Sequence, residues 1–208
     1  MKRWVLGGLG VLALLITACS SSGDATPLPS DLVGQNQVAG FDGAGLIPPQ
    51  PRPNFTLLDT HNKPFAFGKV TAGHPTLLFF GYTHCPDECP TTLADIRLAL
   101  RAVPHSIAKK TYMVFVTTDV RRDTGPVMAR WLHQFSIGTQ ATWVGLHGTQ
   151  AQIDAAQAAA HVSIAADHGE THSLQVLLYG PDDYARVEFL LSKEESKQIA
   201  HDLAIIGS

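Results

Sequence analysis

Gly81-Tyr82-Thr83-His84-Cys85-Pro86-Asp87-Glu88-Cys89-Pro90 separates two segments of different periodicity. The run before it, Pro75-Thr-Leu-Leu-Phe-Phe80, is short and apolar and has the make-up of a buried strand. The run after it, Thr91 to Val103, places Leu93, Ile96, Leu100 and Val103 on one helical face. The two cysteines therefore belong to a strand-to-helix turn. Proline suits the first helical position, where its missing N–H has no partner to lose, and it pushes the preceding residue out of helical geometry. On that reading Pro90 opens the helix, Cys89 is its N-cap, and Cys85 lies in the loop just before. Both thiols then face the positive end of the helix dipole, which favours thiolate, the form that binds metal or attacks a disulfide.

The spacing bears on which chemistry follows. A thioredoxin-type redox motif has two residues between its cysteines, and this chain has Pro86, Asp87 and Glu88 there. Helical positions four apart hold their Cβ atoms roughly 5–6 Å apart, whereas a disulfide needs about 3.8 Å. The wider separation suits two sulfurs converging on one ion. A loop can adjust, so a Cys85–Cys89 disulfide stays open as well. Two thiolates are soft donors that select Cu(I) or zinc. A structural zinc site wants four ligands, and this pair supplies two, so a further ligand comes from elsewhere, with histidine the expected type.

The start of the chain bears on compartment. Met1-Lys-Arg3 is a basic n-region and Trp4 to Ile16 an apolar h-region, too short for the ~20 apolar residues of a bilayer span. Ile16-Thr17-Ala18-Cys19 resembles a bacterial lipobox, which makes 1–18 a signal peptide and Cys19 the lipidated residue. An extracytoplasmic protein anchored by lipid to a bacterial cell membrane is expected, in a compartment that permits disulfides. Residues 19–50 are polar and rich in proline and read as an extended tether, with Leu46 and Ile47 as the positions expected to pack on the domain. Residues 51–208 form one globular domain. The formal net charge of -3 argues against a nucleic-acid partner.

Alternating strands and helices fill the rest. Phe55–Asp59 and Pro64–Phe67 read as a hairpin turning at Thr60–Lys63; Thr111–Thr117, Trp143–Leu146, Leu174–Tyr179 and Ala185–Leu191 read as strands. Pro126–Phe135, Ala151–His161 and Lys193–Ile205 read as helices. The expected fold is α/β and thioredoxin-like, a central mixed sheet flanked by helices with an N-terminal β-hairpin.

Gly81 to Leu93 resembles the signature of the Sco/SenC family, thioredoxin-like extracytoplasmic copper proteins. The likeness runs from about Phe55 to the C-terminus. Val116 to Thr124 resembles the family's second block, with Val120 where proline is usual, and Val144 to Thr149 matches a third. Thr171-His172-Ser173 resembles the block carrying the metal histidine, with Thr171 in place of the usual Asp. The resemblance implies copper, Cu(I) or Cu(II), held by Cys85, Cys89 and His172, with Asp119 as an auxiliary acid near the site. It implies a monomeric copper chaperone serving the copper-accepting subunit of a haem-copper oxidase, cytochrome c oxidase, during assembly. The alternative is a thiol-disulfide oxidoreductase that keeps that subunit's cysteines reduced. Among other histidines, His84 and His168 are minor candidates. His61, His74, His105, His133, His147, His161 and His201 read as solvated or packing residues. Asp87 and Glu88 are expected to tune the thiols and form a negative rim.

Overall fold

The computed structural model describes Met1 and residues 38–163, 174–190 and 195–208. Its frame is one eight-stranded sheet. In chain order come β1 (Ala44–Pro51), β2 (Thr56–Asp59), β3 (Pro64–Ala66), α1 (Phe67–Val70), β4 (Thr76–Gly81) and α2 (Glu88–Ala102). There follow α3 (His105–Ala108), β5 (Tyr112–Thr117), α4 (Gly125–Ser136), β6 (Thr142–His147), α5 (Gln150–Ala159), β7 (Val176–Tyr179), β8 (Tyr184–Phe189) and α6 (Glu195–Ile206). The strand order is β1-β8-β7-β4-β5-β6-β2-β3.

The centre is parallel, with β4 beside β5 and β5 beside β6, while β7 and β2 join its two sides antiparallel. This is the expected thioredoxin-like mixed sheet. The β2–β3 hairpin is also present, pairing Leu57 with Phe65. All six residues of β4 are buried, as a strand covered on both faces requires. Side chains alternate along a strand, so Leu77 and Phe79 face one core while Leu78 and Phe80 face the other. The first core takes Leu93, Ile96 and Leu100 of α2, Met128 and Leu132 of α4, and Ile199 and Leu203 of α6. The second takes Phe67 at the start of α1 and Ile153 and Ala156 of α5. A capping box closes the start of α5: the Thr149 hydroxyl accepts from the Gln152 N–H, and the Gln152 side chain accepts from the Thr149 N–H.

Two expectations need correction. The domain does not begin at residue 51: Ala44–Pro51 is an edge strand paired antiparallel with β8, so the boundary expected at residue 50 falls inside the sheet. Edge strands tolerate proline because their outer N–H groups need no partner in the sheet. The helix after the cysteine turn begins at Glu88, with Asp87 as N-cap, so Cys89 is its second residue and Pro90 its third. Proline is tolerated there because the first four helical N–H groups have no intrahelical acceptor. The short helices α1 and α3 were not expected. Among the described residues no helix is long and apolar enough to cross a membrane. Cys19, and with it the expected signal peptide and most of the expected tether, lies outside the described residues.

Candidate functional site

Two loops leave neighbouring strands side by side. Gly81, the last residue of β4, is paired with Thr117, the last of β5. The Tyr82–Asp87 loop and the Thr118–Thr124 loop therefore start together at the carboxyl edge of the parallel strands, where open α/β sheets place their sites. The Gly81 carbonyl accepts from the Thr118 N–H at 2.8 Å, which stitches the two loops at their roots.

The structure brings Cys85 and Cys89 together at the start of α2. The Cys89 N–H donates to Cys85 Sγ at 3.3 Å, so one of the helix's orphan amide donors is spent on sulfur. Both residues stand as thiols, not a disulfide. They are not equivalent. Cys89 is fully buried, and burial pushes its thiol far above the ordinary range, against a backbone hydrogen bond from Tyr82 that lowers it. The nearby charges of Cys85 and Glu88 add to the upward push. The expectation that the helix dipole would favour thiolate at both cysteines thus fails for Cys89, where desolvation outweighs it. Cys85 is buried too but retains 8% of its surface.

Gly81 makes room for the buried sulfur. A Cβ there would stand 2.8 Å from Cys89 Sγ and 3.2 Å from both Phe115 Cε2 and Phe79 Cε1. Phe80 is buried in the second core and Tyr82 packs against the first, as expected of packing residues. Asp87 and Glu88 are exposed at the rim. The Asp87 carbonyl accepts from the Thr91 N–H and hydroxyl, while its carboxylate makes no cap bond to the helix.

The second loop supplies acids. Asp119 accepts from the Arg122 N–H at 3.2 Å, and its other oxygen pairs with the Arg122 guanidinium. Asp123, four residues after Asp119, is buried, and no local sequence pattern distinguishes it from its neighbours. It accepts from the Thr83 N–H (2.8 Å), the Thr83 hydroxyl (2.5 Å) and the Thr117 hydroxyl (2.7 Å). His84 is half-exposed and its Nδ1 lies 3.4 Å from Asp123 Oδ1. Ligand-type atoms of His84, Asp119 and Asp123 all fall within 4.8 Å of one another.

His172 and His168 lie outside the described residues. What is described is the strand that follows them: β7 runs antiparallel to β4, with Val176, its first residue, opposite Phe79. It starts at the end of β4 from which the cysteine loop leaves. Three other described histidines are occupied elsewhere: a ring nitrogen of His74 meets the Lys110 carbonyl, one of His147 the Asp59 carbonyl, and one of His201 the Asp202 carboxylate.

A thioredoxin-like sheet with a CxxxC dithiol at the mouth of its first central helix defines the class of protein. The family model SCO1/SenC matches residues 48–206, and the chain belongs to that family. A relative from Stutzerimonas stutzeri bearing the name "Putative copper-binding protein" is 29% identical over 182 residues, covering 84% of this chain and 83% of the relative. The mouse mitochondrial Sco1 homolog is 33% identical over 133 residues; these cover 60% of this chain and 45% of that protein's length. Among solved structures, copper-bound ScoI of Bradyrhizobium japonicum superposes with a TM-score of 0.59 at 30% identity, covering 75% of this chain and 99% of that one.

Proposed function

We propose that this protein is an extracytoplasmic copper chaperone that carries one copper ion on Cys85, Cys89 and His172. The observation that carries the reading is the convergence of two thiols at one helix start, with Cys85 Sγ 3.3 Å from the Cys89 amide nitrogen. Soft sulfur donors match Cu(I). The start of β7 at the same end of β4 supports His172 as the third ligand, because that residue precedes the strand by four positions. The S. stutzeri relative's name and the copper-bound ScoI structure support the choice of ion. Asp119, on the adjoining loop, is an auxiliary group for the ion or for the acceptor.

The acceptor in this reading is the copper-binding subunit of a haem-copper oxidase during assembly. Transfer proceeds by ligand exchange, with acceptor donors replacing those of the carrier one at a time. Cys85, which keeps a small exposed surface, is released first. A lipid on Cys19 and the polar segment after it keep the carrier close to a membrane-bound acceptor and raise its effective concentration.

Metal analysis of the purified protein tests the site. Wild type is expected to retain one copper per chain, while Cys85→Ser and His172→Ala lose most of it. Copper uptake unchanged in both variants overturns the assignment.

A second reading has an observation of its own. Two buried cysteines, of which Cys85 keeps a small exposed surface and Cys89 none, match the attacking and resolving roles of a thiol-disulfide oxidoreductase acting on the acceptor's cysteines. Turnover of a model disulfide by the copper-free protein, lost in Cys85→Ser, separates that role from copper carriage.

A further inference from the structure

We infer that Asp123 is the positioning residue of the dithiol loop, holding the turn before Cys85 in its metal-receiving geometry before any ion arrives. The inference rests on the copper-carrier reading for its functional consequence, and on geometry for its substance.

Asp123 is 1% exposed, so its carboxylate has been taken out of water at a cost. Three donors on two other segments repay it. Oδ2 accepts from the Thr83 N–H at 2.8 Å and from the Thr117 hydroxyl at 2.7 Å, while Oδ1 accepts from the Thr83 hydroxyl at 2.5 Å. Such charge-assisted bonds are the strong ones. With these donors in place the carboxylate is committed to protein groups, so its proximity to His84 and Asp119 makes a brace and not a cation site.

The brace ties down what matters for the sulfurs. Thr83 lies two residues before Cys85, inside the turn closed by the Cys85 N–H to the Tyr82 carbonyl at 3.3 Å. Gly81, just before that turn, is already held by Thr118. Asp123 is itself steadied by its N–H to the Asp119 carbonyl at 3.0 Å, and Thr117 Oγ1 accepts from the Asp119 N–H at 3.0 Å. Residues 117–123 thus form a fixed jaw against which the loop to Cys85 is set. A site held in its productive geometry by such supports does not spend binding energy on ordering the loop.

Asn at this position keeps the shape but aims an NH2 group at donors. Thr83→Ala removes one of the same bonds from the other side, at a position partly open to solvent. The test uses the full chain: wild type, Asp123→Asn, Thr83→Ala and the double variant. Cu(I) affinity is measured by competition with a chromophoric chelator. The copper-free protein is equilibrated with glutathione, its dithiol reducing one glutathione disulfide to two glutathiones while Cys85 and Cys89 become a disulfide. Each single variant is expected to bind Cu(I) about tenfold more weakly, the scale on which groups that orient metal ligands act. Stoichiometry stays at one copper per chain, and the double variant is no worse than Asp123→Asn alone, because the Thr83 hydroxyl bond that Thr83→Ala removes is one of those Asp123→Asn already disrupts. The glutathione equilibrium shifts toward the protein disulfide, since the brace holds the dithiol form.

Wild-type values of both constants in the single variants overturn the inference. So does a loss of thermal stability with neither constant moved, which describes a purely structural carboxylate. If wild type binds no Cu(I), the carrier reading fails by itself, and the glutathione arm still tests the brace.

Discussion

At the scale of single residues, the site depends on small differences between like groups. Cys85 and Cys89 share a motif, yet desolvation separates them: one keeps a solvent-facing edge and the other is fully enclosed. The enclosure of Cys89 in turn depends on Gly81, whose missing side chain is the space beside the sulfur. Gly81→Ala is expected to destabilise the fold by roughly 1–3 kcal/mol, as overpacking of a filled core does. Urea unfolding followed by fluorescence measures it, and an unchanged midpoint contradicts the packing argument. The pair of cysteines was legible in the sequence because proximity in the chain is proximity in space within one turn. Asp123 was not, because the donor that gives it a role, Thr83, lies 40 residues away, and no local pattern says which of two acids in a loop turns inward.

Among the elements, the central strands and long helices were legible from apolar periodicity, and their ends were less so. The helix after the cysteines starts at Glu88, one residue before the expected N-cap, since a proline anywhere in a first turn costs the helix nothing. Long-range fastening between elements was not legible at all. Arg52, after β1, has a buried side chain and donates from Nε to Asp183 (2.7 Å), from Nη1 to Thr71 (2.9 Å), and from Nη2 to the carbonyls of His74 (2.9 Å) and Gly180 (2.8 Å). Its guanidinium also lies 5.1 Å from the Tyr179 ring centroid. Burial pulls its pKa down, and the Asp183 partner opposes that pull. One residue thereby joins the chain's entry into the domain, the end of α1 and the β7–β8 turn. A lysine ammonium cannot reproduce this planar fork of donors. Arg52→Lys is expected to cost about 2–3 kcal/mol, because buried acceptors are left without partners. Calorimetric unfolding of the two proteins checks this, and equal transition temperatures count against it.

For the whole molecule, the question is where the domain begins. Proline spacing in residues 48–53 reads as extended chain, and extended chain is what an edge strand is; composition does not distinguish a tether from a strand whose partner lies more than 130 residues later. The partner is β8, paired from Ala44 opposite Glu188 to Pro51 opposite Tyr184. Leu46 is buried in that strand. A chain starting at residue 52 is expected to melt about 5 °C or more below one starting at residue 38, from loss of one apolar side chain and a row of sheet bonds. It should also self-associate through the bared edge of β8. Light scattering and calorimetry on the two chains test both, and identical behaviour returns residues 44–51 to the tether. By itself the sequence determined the α/β class, the N-terminal hairpin, the succession of strands and helices along the chain and the dithiol turn, because those follow from periodicity and short-range stereochemistry. Tertiary structure alone decided the reach of the sheet to Ala44, the unequal burial of the two sulfurs and the grip of Asp123 on Thr83, because each depends on what distant segments bring alongside once the chain has closed on itself.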